Sequence, residues 1–130
     1  MSERNKALVR RYYEEVLNAR RLSVFDELAD PRFVSYLPNG EGVGIEAYRQ
    51  AIAGSLAAMQ DLHVVIEDQV AEGDKVVTRW KATGTPLVPF AGLQPDGKPI
   101  TVTAIHIHRI EGDKLVGHWE AINLHAIQRG

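Results

Sequence analysis

The order of elements in this chain predicts an α+β domain, with helices first and a run of strands after. Three observations carry that reading. Apolar residues recur at helical spacing as far as Met59, they alternate with period two beyond Asp61, and Glu-Gly-Asp turns divide the second half. Asn5 to Asn18 reads as a helix whose buried face is Leu8, Tyr12 and Val16, with Val9, Tyr13 and Leu17 beside them. A shorter helix fits Ser23 to Leu28, with Ser23 as its cap. Asp30-Pro31 stops it, because the residue before proline avoids the α region. Phe33 to Tyr36 is a short extended piece ended by Pro38-Asn39-Gly40. Ile45 to Met59 is a third helix, with Tyr48, Ile52, Leu56 and Met59 on one stripe.

Leu62 to Val70 sets Leu62, Val64 and Ile66 against His63, Glu67 and Gln69, the alternation of a half-buried strand. After the turn at Glu72-Gly73-Asp74, Lys75 to Thr85 continues around Trp80. The loop from Pro86 to Gly97 is rich in proline and glycine and long enough to form a mouth or lid. Ile100 to Ile110 is a strong strand, Glu111-Gly112-Asp113 a tight turn, and Lys114 to Leu124 the returning strand. Strands joined in this way predict a curved antiparallel meander closed on one side by the helices.

A length of 130 residues fits one domain spanning 1–130. The formal net charge is −2 and no run of like charges occurs, which argues against a nucleic-acid surface. Arg10-Arg11 and Arg20-Arg21 sit among acids on a helical pattern and read as solvated faces. Cysteine is absent, so disulfides, thiolate catalysis and cysteine-type zinc sites are excluded. The start of the chain is polar, without the apolar core of a signal peptide, and no segment approaches the ~18 apolar residues of a membrane span. The expectation is a cytoplasmic protein with no membrane partner.

Several segments resemble one family, and together they run through nearly the whole chain. They are Asn5-Lys6, Tyr13 to Asn18, Phe33-Val34, Glu67-Asp68, Glu72 to Val76, Arg79-Trp80 and Gly84-Thr85, then Gly97-Lys98, Thr101 to Thr103, Arg109-Ile110, Lys114 to Val116 and His118-Trp119. In this order and spacing they resemble the SnoaL-like polyketide (ester) cyclases of the nuclear transport factor 2-like superfamily. The resemblance implies a cystatin-like cone: a strongly bent sheet and three N-terminal helices around a deep pocket, usually in a homodimer. The superfamily also holds ketosteroid isomerases, dehydratases, epoxide hydrolases and non-catalytic members, so the reaction has to be argued from the pocket.

Strand alternation puts His106 and His108 on one face of the first hairpin strand, and His118 and Glu120 on one face of the second. The turn brings the two sets together, so three imidazoles and a carboxylate are expected to share the inner face, with Trp119 and Ala121 behind. Buried ionisable groups are costly unless paired or used. A carboxyl among apolar walls ionises less readily, which suits proton transfer near neutral pH. The blander use is a polar core in which Glu120 simply pairs with His118 or His106. In the aldol cyclases that the chain resembles, a His and an acid separated by thirteen residues do acid–base work, and His106 and Glu120 stand at that separation. Here a Glu replaces the usual Asp after the tryptophan, and Asn123 stands where a second family Asp is common. The isomerases' base position is Leu37, and Tyr13 matches their oxyanion-binding tyrosine.

His106 and Glu120 are therefore the expected catalytic pair. Tyr13, Tyr36, Trp80, Phe90, His108, His118 and Asn123 are the expected substrate-binding residues, with Tyr12 and Leu56 also considered for the walls. The reading is a cofactor-free enzyme that takes a proton from beside a carbonyl of a small hydrophobic molecule, as in an aldol-type cyclisation. The alternatives are a non-catalytic binding protein, or an isomerase, dehydratase or epoxide hydrolase using the same pocket. A metal held by the histidines is the other chemistry such a cluster permits. The other face of the sheet, with Ile105, Ile107, Val77 and Trp119, is apolar enough to predict an isologous homodimer.

Overall fold

The structure is a computed structural model describing residues 2–90, 92–123 and 127–129. Helix α1 is Ser2–Arg11, and the chain runs on into a π-helical segment, Tyr12–Asn18. Helix α2 is Leu22–Leu28 and α3 is Ile45–Ala58. The strands are β1 (Ala29–Tyr36), β2 (Gly42–Gly44), β3 (His63–Glu72), β4 (Lys75–Gly84), β5 (Ile100–Glu111), β6 (Lys114–Ile122) and β7 (Gln128–Arg129). Leu124, the expected end of the returning strand, lies outside the described residues. No described helix is long and apolar enough to cross a membrane.

The expected α+β architecture is present, with three helices against one curved sheet. Strand order is β2-β1-β6-β5-β4-β3, and β7 pairs with the start of β5. The meander β3 to β6 is antiparallel, but β1 lies parallel to β6, so the sheet is mixed. Pairing with β6 also makes β1 longer than the predicted Phe33 to Tyr36. Val9, Tyr12, Tyr13 and Val16 of the first helix are buried with Phe25, Phe33, Ile52 and Leu56, as their apolar spacing requires.

The first helix widens at its end, where the Ala19 N–H reaches five residues back to the Glu14 carbonyl at 2.9 Å. Such turns are rare and are found preferentially at functional sites. Just inside this end, Asn18 meets the sheet. Its side-chain amide accepts the Val64 N–H at 2.7 Å and donates to the Val64 carbonyl at 2.8 Å. Arg20 then turns the chain with φ at 58°, and its guanidinium donates to the carbonyls of Leu56, Met59 and Gln60 at the end of α3. This turn starts α2 at Leu22, so Ser23 lies exposed within the first turn and does not cap it; Arg21 holds the cap position without a side-chain bond.

Two bulges set which residues face inward. In β3, Ile66 pairs with Trp80 but Asp68 pairs with Arg79, leaving Glu67 as the extra residue. Beyond it the faces exchange: Val70 is 59% exposed, while Gln69 turns inward, accepting from Arg10 at 2.9 Å and donating to Thr78 at 3.2 Å. Gln69 therefore does not share a face with His63, as simple alternation predicted. In β6, Ile110 pairs with Leu115 and Arg109 with Gly117, so Val116 is the extra residue. After it, His108 stands opposite His118 and His106 opposite Glu120.

The β5–β6 hairpin closes through Gly112 and Asp113, with φ of 55° and 62°, the left-handed pair that a two-residue turn of this type needs. Gly112→Ala is expected to cost about 1 kcal/mol, seen as a lower urea midpoint at unchanged slope. An unchanged midpoint would show that the turn does not hold the hairpin in this geometry.

Candidate active site

Between α3 and the inner face of the sheet lies a cavity of about 510 Å³, within the range of small-molecule sites. Small residues on α3 (Ala51, Gly54, Ser55 and Ala58) leave room for it, and Trp80, Ala82, Ile100 and Val102 form the sheet wall. Phe90, from the loop after β4, lines it too. The polar side chains that line it include His106 and Glu120, with Tyr12, Tyr48 and Ser55.

His106 is fixed by three partners. The Trp80 indole N–H lies 3.1 Å from Nδ1, the Tyr13 hydroxyl lies 2.6 Å from the same nitrogen, and Nε2 meets a Glu120 carboxylate oxygen. An indole nitrogen can only donate, so Nδ1 must be an acceptor and carries no proton. The ring proton is then on Nε2 and is donated to Glu120. The Tyr13 hydroxyl faces the same single lone pair and shares it with the indole N–H. Glu120 takes this bond on Oε2, and its side chain remains 35% accessible where His106 is 3% accessible. The carboxylate, not the imidazole, is the group that an entering molecule meets.

His108 and His118 form a second layer behind this pair. His108 Nε2 is 3.4 Å from His118 Nδ1, and His118 Nε2 is 2.8 Å from the Ser35 hydroxyl. His108 Nδ1 is buried with no partner among the described residues. An orphaned donor costs more than an orphaned acceptor. That puts the His108 proton on Nε2, toward His118, and the His118 proton on Nε2, toward Ser35. Burial, reinforced by the neighbouring imidazoles, pushes both rings well below the ordinary 6.5.

The three histidines offer ligand atoms within 4.8 Å of one another. His108 Nε2 and His118 Nδ1 have roughly the 3.4 Å spacing of two nitrogens on a tetrahedral ion. His106 fits less well, because both of its ring nitrogens are engaged. Ligation by His106 would have to break either the Glu120 bond or the Trp80 and Tyr13 bonds.

The structure brings His106, Glu120, Trp80 and Phe90 to the cavity. It puts Tyr13, His108 and His118 behind it, fully or almost fully buried. Tyr36 is elsewhere: parallel pairing sets Ser35 against His118 and Tyr36 against Trp119, so Tyr36 stacks on Trp119 at 4.9 Å on the outer face. Asn123 is exposed past the end of β6, where its backbone N–H bonds to Thr103. Leu56 packs in the core. The sequence places Tyr48 only on the α3 stripe; in the structure Tyr48 also lines the cavity, its hydroxyl 2.5 Å from that of Tyr12.

A family model, SnoaL-like polyketide cyclase, matches residues 7–130. The chain belongs to this family. No curated protein matches the sequence. Among solved structures, AclR from Streptomyces galilaeus, described as a proposed hydroxylase, is 27% identical with a TM-score of 0.85, over 95% of this chain and 78% of its own. IdmH from Streptomyces antibioticus, a proposed polyketide cyclase, is 26% identical with a TM-score of 0.81, over 92% and 91%. TsrD from Streptomyces laurentii is 28% identical with a TM-score of 0.81, over 94% and 90%. This SnoaL-like chain therefore shares a fold with neighbours described by different chemistries, and its reaction rests on its own cavity.

The buried histidines give stability a pH dependence. Their folded-state values are depressed, so their contribution is complete above about pH 6.5 and is lost as pH falls below it, where the unfolded chain takes up the protons. The slope should approach 1.4 kcal/mol per pH unit for each histidine, roughly. Urea midpoints should fall between about pH 7 and pH 5, and His118→Gln should flatten the decline. A midpoint constant over this range would contradict neutral burial.

Proposed function

We propose that this SnoaL-like protein is a cofactor-independent acid–base enzyme acting on a hydrophobic carbonyl compound, with an intramolecular aldol closure as its reaction. One observation carries the reading: the Trp80 indole N–H on Nδ1 of His106 leaves Glu120 as the proton acceptor in the cavity lining. In this scheme a Glu120 oxygen takes the proton from a carbon beside a carbonyl, and the C–H electron pair becomes an enolate. The enolate carbon attacks a second carbonyl of the same molecule, forming a carbon–carbon bond. The new alkoxide takes the proton back from Glu120, which restores the carboxylate. His106 is the positioning residue, its Nε2–H holding the carboxylate in one orientation throughout.

Proton abstraction can be followed without the natural substrate. α-Tetralone is a bicyclic ketone small enough for the cavity, and deuterium uptake beside its carbonyl in heavy water is read by NMR. The protein should accelerate uptake, and Glu120→Gln, which still accepts the Nε2–H, should lower the rate by about 100-fold while leaving the fold intact. Ketone that binds, reported by Trp80 fluorescence, without any acceleration would favour the non-catalytic binding protein. Unfolding of the Gln variant would mark Glu120 as a structural carboxylate.

The same proposal includes a homodimer through the outer face of the sheet. Ile105 is 44% exposed and Trp119 37% exposed, and Ile107 pairs with Trp119, which carries Tyr36 stacked on it. An apolar patch of this kind on a sheet favours an isologous contact. Sedimentation at micromolar concentration should give a dimer, and Ile105→Glu should shift it toward monomer; a clean wild-type monomer would refute the contact.

A further inference from the structure

Tyr12 and Tyr48 meet on the cavity wall, one from the π-helical segment and one from α3, with their hydroxyls 2.5 Å apart. Two hydroxyls carry two protons, and the bond between them uses one. The accepting hydroxyl keeps a proton of its own, and no acceptor for it exists among the described residues. Burial holds both phenols protonated, by pushing their ionisation well above the ordinary range. Neither hydroxyl is free to swing away. Tyr48 stands edge-on to His118 at 4.7 Å between ring centroids, and Tyr12 lies edge-on to Tyr13 at 5.1 Å and tilted against His108 at 5.5 Å.

This pair differs from Tyr13, whose hydroxyl is committed to the back of His106 and does not line the cavity. The surplus proton therefore sits on the same cavity as the proton acceptor Glu120, but on a different wall. An O–H whose oxygen already accepts a hydrogen bond is polarised into a stronger donor. The chemical partner of such a group is an oxygen with lone pairs, and one that gains negative charge is bound more strongly.

We infer that the Tyr12–Tyr48 hydroxyl pair is an oxygen-binding subsite, which takes the carbonyl oxygen of the ligand and holds it as the neighbouring carbon loses its proton. The subsite rests on the acid–base reading for its catalytic use, but not for its existence. In the reaction, the enolate oxygen accepts the surplus proton as a hydrogen bond, and no proton need be transferred. The substrate class is thereby narrowed to apolar ring compounds whose enolisable carbonyl can reach this pair while the adjacent carbon faces Glu120.

Binding alone tests the subsite. α-Tetralone and tetralin share a skeleton and differ in the carbonyl, and both can be titrated against the fluorescence of Trp80. The wild-type protein should prefer the ketone by about tenfold, the worth of one good hydrogen bond. Tyr12→Phe and Tyr48→Phe each leave one hydroxyl with its proton and should keep part of the preference. The double Phe variant should lose it, with tetralin affinity unchanged as the control for an intact cavity. If the double variant does not fold, the carbonyl stretch of bound α-tetralone decides: it should shift to lower frequency in the wild-type protein, and less in either single variant. A ketone preference, or a carbonyl shift, that ignores the tyrosines would overturn the subsite. If that preference vanished instead with His106→Phe, the ligand oxygen would lie beside His106. Deuterium uptake lost in Glu120→Gln would still stand in that case, so failure of the subsite and failure of the acid–base reading are separate results.

Discussion

One extra residue in β6 decides what the inner face of the sheet carries. The tight turn at Gly112-Asp113 pairs Glu111 with Lys114 and Ile110 with Leu115. Continued without interruption, that register would set Gly117 opposite His108 and Trp119 opposite His106. Val116 shifts the count by one, so His118 and Glu120 face inward and Trp119 faces out. A single-residue slip moves every side chain of a strand to the other face, and here it exchanges an indole for a carboxylate beside His106. The shift also brings Gly117 under β1, where a Cβ would stand 3.2 Å from the Val34 carbonyl oxygen. The bulge, the glycine and the β1–β6 pairing thus belong to one arrangement.

Given that register, the protons follow by elimination. Trp80 can only donate, so His106 can offer a proton only from Nε2, and Glu120 is the group left to receive one. Behind it, the unpartnered Nδ1 of His108 fixes the direction of the chain from His108 through His118 to Ser35. Nearly all of these groups are buried, and apart from His108 Nδ1 each has a hydrogen-bond partner, which limits how far the rings can move. In the acid–base role proposed for Glu120, that restraint would keep the carboxylate within reach of the carbon it deprotonates.

Much of this was legible in the sequence, although not all for the right reason. Alternation placed His106, His108, His118 and Glu120 on one face, and the structure agrees. Yet alternation combined with the turn alone would have given Trp119 in place of Glu120, because nothing in Leu115-Val116 announces a bulge when both residues are apolar. The same blindness cost the assignment of Gln69, which the Glu67 bulge turns inward. Tyr36 was expected in the wall because a strand's inner face cannot be named until its neighbour is known; pairing with β6 puts it on Trp119. Tyr48 was visible as one member of a helical stripe, but stripe membership does not say which side chain stops at a cavity and which packs into the core. The widened end of the first helix left no signal, since Val9, Tyr12, Tyr13 and Val16 keep the spacing of an ordinary helix.

The amide of Asn18 has a consequence for how molecules of this protein behave in a crowd. Strand β3 ends the sheet on one side, and the open edge of such a strand is a template on which another chain can add itself. Asn18 occupies both outward backbone groups of Val64, so an incoming strand would meet an edge interrupted near its start. Further along, the Glu67 bulge breaks the straight run a second time. Guarding the edge in this way matters because Val65 and Val70 stand exposed on the same strand. Asn18→Ala would remove a clamp on the helix and also open a seam for fibre-like association.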